Sequence, residues 1–188
     1  MRAILPRLLV ALLVTVPFSL ALADDYDDTI KVFRNAGQSG KFFGSSYGYA
    51  VFPTIGKGGI GIGGAHGSGR VYEKGVHVGD TSMTQVTVGL QLGGQAFSQI
   101  IFFQDKRAFD EFTSGNFEFG AQASAVAITA GAQAQAGTAG TGAGASGTQS
   151  HADTVGGYQK GMAIFTVAKG GLMYEASIGG QKFSYKKK

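Results

Sequence analysis

Cysteine is absent from the 188 residues, which excludes a disulfide, a lipid-modified cysteine anchor and the thiolates of most structural zinc sites. Histidine is nearly absent: His66, His77 and His151 stand far apart, and no two share a ligand spacing such as H-x-x-x-H. Charge is thin as well, at 15% of residues, with 16 basic against 12 acidic for a net of +4. A balance this mild does not imply nucleic acid as a partner. Proline occurs three times, and one of the three, Pro17, interrupts the apolar run Leu8 to Leu20. That run is shorter than the ~20 residues a membrane-spanning helix needs.

The run reads instead as the core of a secretory leader. Met1 to Arg7 is basic, and Ala21-Leu22-Ala23 is an A-x-A signature ahead of the acidic stretch Asp24-Asp25-Tyr26-Asp27-Asp28. Residues 1–23 are therefore expected to be a signal peptide cut after Ala23, sending the remainder to a bacterial periplasm, free or peripherally attached to a membrane. Without Arg2 and Arg7, 14 basic residues face 12 acidic ones, a net of +2. Residues 24–188 make one domain's worth of chain.

Glycine is what the sequence has in abundance, at 32 residues. Some of it sits inside strand patterns. Val86, Val88, Leu90 and Leu92 alternate with Thr87, Gly89 and Gln91, then Gly93-Gly94 breaks the run and Gln95 to Phe103 returns, ending in Ile100-Ile101-Phe102-Phe103. This predicts a central hairpin whose return strand is covered on both faces. Tyr47 to Phe52 reads as a strand stopped by Pro53. Gly58 to Gly64 (GGIGIGG) reads as a strand with one bare face, as occurs where another backbone or a ligand comes close. Lys74-Gly75 and Gly79-Asp80 bracket a short arm. Three strands close the chain, at Met162 to Thr166, Leu172 to Ile178 and Lys182 to Tyr185.

Two helices are expected. Asp24 to Phe43 places Tyr26, Ile30, Phe33 and Gly37 on one face, with Gly37 and Gly40 as terminators. Asp105 to Ser114 has Asp105 as N-cap, Phe109 and Phe112 on one face, and Gly115 as its stop. Ala121 to Thr129 sets small residues on one strand face. From about 131 to 157 the chain is Gly, Ala, Thr, Ser and Gln, too poor in apolar surface to offset the entropy of ordering, and is expected to be a flexible loop.

Catalytic patterns fail in context. Gly44-Ser45-Ser46-Tyr47-Gly48 matches G-x-S-x-G, but a nucleophile elbow needs a strand before the serine and a helix after it, and the expected order is the reverse. The G-x-G-x-x-G at Gly59 to Gly64 leads to a strand rather than a helix, so it cannot seat a pyrophosphate. The same pattern at Gly142 to Gly147 is a product of low complexity. Asp110 and Glu111 are adjacent and read as a solvated helix face, whereas Glu118 and Glu175 lie in strands, where a lysine-paired carboxylate is the commoner reading. No convergent catalytic set and no cofactor motif remain, and an enzyme is not expected.

Three blocks in order carry a resemblance. VFP-x(3)-K-x-G-x-G runs from Val51 to Gly61, G-L-Q-x-G-G-Q from Gly89 to Gln95, and G-L-M-x-x-x-S from Gly171 to Ser177. Together, over about Tyr47 to Tyr185, the chain resembles the SYLF lipid-binding family. The resemblance implies a binding module: eukaryotic members bind phosphoinositide membranes, fungal ones also bind and bundle actin filaments, and bacterial ones are exported to the envelope. No SH3 or FYVE domain accompanies the pattern here, and the start of the domain is acidic where a basic amphipathic segment would suit an anionic membrane.

The fold expected is mainly β with two short helices (α+β), a curled antiparallel sheet like a sandwich or barrel. The expected function is binding of lipid or an anionic membrane surface, with Lys57, Arg70 and Lys74 as phosphate contacts and Lys182, Lys186, Lys187 and Lys188 adding attraction. The alternative is an interaction protein that holds an envelope protein partner through a β edge or the Gly/Ala loop. Actin is not an expected physiological partner in a periplasm.

Overall fold

In a computed structural model of the chain, which describes residues 19–89, 94–121, 123, 125–128, 157–169 and 178–188, the sheet is built around β1 (Gly48–Glu73), 26 residues of extended chain. Run straight, such a strand would be on the order of 85 Å long, about twice the width of a domain this size. It doubles back instead. Residues 48–57 pair with β3 (Gln95–Phe103) and residues 61–73 with β2 (Val76–Gly89). The two arms also lie against each other: the Lys74 N–H donates to the Tyr47 carbonyl at 3.1 Å, while Gly67 and Gly69 press on Ile55 and Phe52.

The reversal falls in GGIGIGG, where Gly59 has φ +148° and a Cβ would collide with the Gly63 backbone. The bare face expected of this segment is thus a close approach of backbone to backbone. It lies at a turn of β1 rather than along a straight strand. Pro53 does not end β1. The register with β3 shifts between Phe52 and Ile55, a bulge of the kind that accommodates proline within a sheet, and the buried Ser98 hydroxyl donates to the Pro53 carbonyl at 2.6 Å. At the far end of β1, Lys74 (φ 50°) and Gly75 (φ 84°) make the two-residue turn into β2.

The remaining strands are β4 (Phe117–Glu118), β5 (Val126–Ile128), β6 (Met162–Lys169) and β7 (Lys182–Lys187). Their order in the sheet is β4-β7-β2-β1-β3-β6-β5. The seven strands form a curled half-barrel, mostly β with two helices, as expected. All pairs are antiparallel except β5 with β6, which is parallel. The expected hairpin of Val86 to Phe103 is corrected by this order. β2 and β3 are not neighbours, because β1 stands between them and hydrogen-bonds to both. The expected strand at Leu172 to Ile178 and most of the Gly/Ala loop at 131–157 lie outside the described residues.

Both faces of the sheet are covered, and β3 shows why its sequence is apolar throughout. Phe97, Ile101 and Phe103 enter one core, with Phe52, Met83, Phe112 and Phe183. Ile100 and Phe102 enter the other, with Tyr49, Tyr72 and Phe165. α2 (Lys106–Phe112) closes the first through Phe109 and Phe112, its N-cap Asp105 accepting from the Ala108 N–H at 2.9 Å. α1 (Ser19–Asn35) and a 3-10 helix (Gly40–Gly44) close the second through Phe33 and Phe42. The single helix expected over Asp24 to Phe43 is therefore two pieces. The break is fixed by the buried Ser39 hydroxyl, which donates to the Phe33 carbonyl at 2.6 Å.

The anticipated cleavage point after Ala23 lies within α1, and the packing residues Tyr26, Thr29, Ile30 and Phe33 all follow it. Six of the largest fully buried side chains are phenylalanines. At roughly 2–3 kcal/mol each, they supply the stabilisation that a chain without disulfides must find in its core.

Candidate functional site

The curled sheet has two ends of different chemistry, and the sequence-expected cations divide between them. At the end formed by the β1–β2 turn lie Arg70, Lys74, Lys186, Lys187 and Lys188. These share the space with carboxylates. Arg70 is the ladder partner of Asp80, and Asp80 is in turn the partner of Lys186. Asp80 also holds His77 at 3.0 Å.

The Arg70 guanidinium lies 4.1 Å from the centre of the Tyr26 ring, which ties α1 to β1. Burial raises the pKa of Tyr26, and Arg70 offsets part of that rise. Lys74 lies over Tyr47, whose hydroxyl donates a short hydrogen bond to Glu73. That bond, more than burial, raises the Tyr47 pKa. On neighbouring α2, Lys106 pairs with Asp110 at 2.6 Å and Arg107 with Glu111 at 3.5 Å. Asp110 and Glu111 are thus on the solvated face anticipated for them, and each has a basic partner one turn earlier.

The opposite end is where β1 reverses, β2 and β6 finish and β3 begins. Lys57 is the ladder partner of Gln95, and Lys169 of Ala96. Lys169 is exposed and donates to the Thr54 hydroxyl at 2.6 Å. Within residues 54–66, 84–89, 94–99 and 166–169 there is no Asp or Glu. Ile62 and Val86 are 72% and 76% exposed here; Val32 and Val76 are the other exposed large apolar side chains among the described residues, and both lie elsewhere. Sequence reading found Lys57 but not Lys169, Ile62 or Val86. The signal available was the pair of isoleucines in a glycine run that ends at a turn.

Lys182 lies at the margin of this end, on the rung of Thr84, and sits 3.6 Å from Glu118 across β4 and β7. Glu118 is exposed and lysine-paired, so it is not an inward carboxylate, while Glu175 lies outside the described residues. Ser45 follows the 3-10 helix and precedes β1, the order that excludes a nucleophile elbow. His66 is exposed on β1, where GGAHGSG is part of the second arm of that strand. Among the described residues no three His, Asp or Glu side chains group closely enough to hold a metal ion, and no helix is long and apolar enough to cross a membrane.

The half-barrel, its two aromatic cores and its charge-sorted ends define a β-rich α+β domain. The chain belongs to the Ysc84 family, also called SYLF, whose description is Las17-binding protein actin regulator; the match covers residues 84–188, from within β2 to the end. It is also similar to Beta cell expansion factor A of Aeromonas veronii, at 28% identity over 158 residues, a stretch covering 82% of this chain and 51% of that protein. The chain spans about half the length of that curated relative.

Proposed function

We propose that this protein is a non-catalytic envelope module that binds an anionic lipid surface. The observation that carries the reading is the strand end bearing Lys57 and Lys169, where the described carboxylate on the Thr84 rung, Glu118, is paired with Lys182. Arg70, Lys74, Lys182 and Lys186 to Lys188 add attraction at longer range, reduced by Asp80, Glu73 and Glu118 beside them. Export through residues 1–23 would bring the module to a periplasmic membrane face. Actin is not proposed as its ligand, since an exported bacterial protein would not meet it.

The test is co-sedimentation of the purified protein with neutral and with anionic vesicles, at low and high salt. Binding to the anionic vesicles alone, weakened by salt and lost on Lys57→Glu with Lys169→Glu, is the expected result. No sedimentation under any condition overturns the proposal. Two cations contribute about 1 kcal/mol each near such a surface, so charge alone gives weak binding.

A second reading is capture of an envelope protein partner by strand addition. Beyond Phe183, β7 has no outer neighbour among the described residues, since β4 pairs with Lys182 and Phe183 alone. Pull-down of one specific envelope protein, independent of lipid, would favour it.

A further inference from the structure

We infer that the protein meets the bilayer with the β1 reversal first, seating Ile62 and Val86 in the headgroup–acyl boundary, so that the sheet stands end-on to the membrane. The inference rests on the lipid reading above and adds a contact and an orientation. Gly64 and Val86 are ladder partners, and Ile62 stands two residues from Gly64 on the same sheet face. The two exposed side chains are therefore diagonal neighbours, within reach of each other. Beside them the sheet is bare: a Cβ on Gly56 or Gly58 would meet nothing within 4 Å. Those glycines are not explained by crowding, unlike Gly67 and Gly69.

The same face changes character along the strands. Past Gly64 and Val86 it carries His66 with Thr84, then Ser68 with Ser82, whose hydroxyl bonds Ser184 at 2.7 Å. The apolar part thus occupies the last two or three rungs, roughly 7–10 Å of strand. This matches the depth to which interfacial apolar faces enter a bilayer. Lys169 and Lys57 stand at the same end, where they can meet lipid phosphates while Ile62 and Val86 go deeper. The occupant is an anionic bilayer rather than a protein, because both cations complement it and Glu118, the described carboxylate on the Thr84 rung, is offset by Lys182. The acidic helix α1 and the carboxylates Glu73 and Asp80 are then directed away from the lipid.

The chain contains no tryptophan, so one introduced residue reports its own surroundings. Ile62→Trp and Val76→Trp place probes at opposite ends, both at exposed positions. With vesicles of phosphatidylcholine doped with phosphatidylglycerol, the emission of the Ile62→Trp variant should shift to the blue and that of the Val76→Trp variant should not. The double variant Ile62→Ser with Val86→Ser should bind the same vesicles about tenfold more weakly. If that variant fails to fold, the tryptophan pair decides alone. Vesicle binding in which the probe at position 76 shifts and the probe at position 62 does not overturns the orientation and leaves the lipid reading standing, and so does unchanged binding by the folded serine variant. Absence of vesicle binding by the wild-type protein overturns both.

Discussion

The most demanding test of the fold is a pair of glutamines in its core. Gln99 of β3 and Gln181, just before β7, are both fully buried. Each amide donates to the other's oxygen, at 2.9 and 3.1 Å. Replacing Gln99 by methionine keeps the length of the side chain but strands the Gln181 amide. A buried donor or acceptor without a partner costs about 1–3 kcal/mol. Two such atoms are left, so the single variant should lose about 3 kcal/mol, and Gln181→Met should lose about the same. In the double variant nothing polar is stranded, and the net cost should fall to roughly 1 kcal/mol or less.

Urea unfolding followed by circular dichroism gives the four stabilities and a coupling energy of about 5 kcal/mol in favour of the matched pairs. For a domain this size each single variant should also lower Tm by about 6–12 °C. Single variants costing under about 0.5 kcal/mol, or a double variant costing the sum of the singles, would refute the claim that this pair is sealed from water.

Glycines give a second contrast. Gly69→Ala would put a Cβ 2.6 Å from the Phe52 ring and 2.8 Å from the Val51 carbonyl, and thermal unfolding should show a loss of about 1–3 kcal/mol. Gly56→Ala meets open space and should stay within about 1 kcal/mol of wild type; equal effects would contradict the doubled-back β1. The third prediction concerns alkali. Burial raises the pKa of Tyr26, Tyr49 and Tyr72 above the usual 10.0. The folded state therefore holds these protons more tightly than the unfolded state does. The contribution of these tyrosines to stability should be fully present below pH 10.0 and be lost as pH rises through the folded values. Tm measured against pH, together with tyrosinate absorbance, checks this; a flat Tm with all tyrosines titrating at their ordinary value would refute it.

What could be read from the sequence were the features set by neighbours along the chain. The cap at Asp105 and the phenylalanines of α2 follow from spacing within one helix, and Tyr26, Ile30 and Phe33 share a helix face for the same reason. The unbroken run ending β3 correctly implied cover on both sides, because successive residues of a strand point to opposite faces. The three glycine-rich blocks carried the family. Alternation sorts residues onto two faces, however, without saying which face is covered, since Val86 is 76% exposed and Gln85 is buried, or which strand lies beside them. That is why Val86 to Phe103 read as a hairpin although β1 separates its halves.

Pro53 misled for a related reason, since a bulge is set by register with another strand. The candidate site divides in the same way. Lys57 was visible as a cation near a turn, but its company with Lys169, Ile62 and Val86 depends on pairing between distant segments. Tertiary structure alone decided which cations have carboxylates beside them, which glycines carry a packed neighbour, and that Gln99 meets Gln181 from 82 residues away. Ladder hydrogen bonds are alike at every residue, so the choice of partner strand is made by how side chains from remote segments fill a common core.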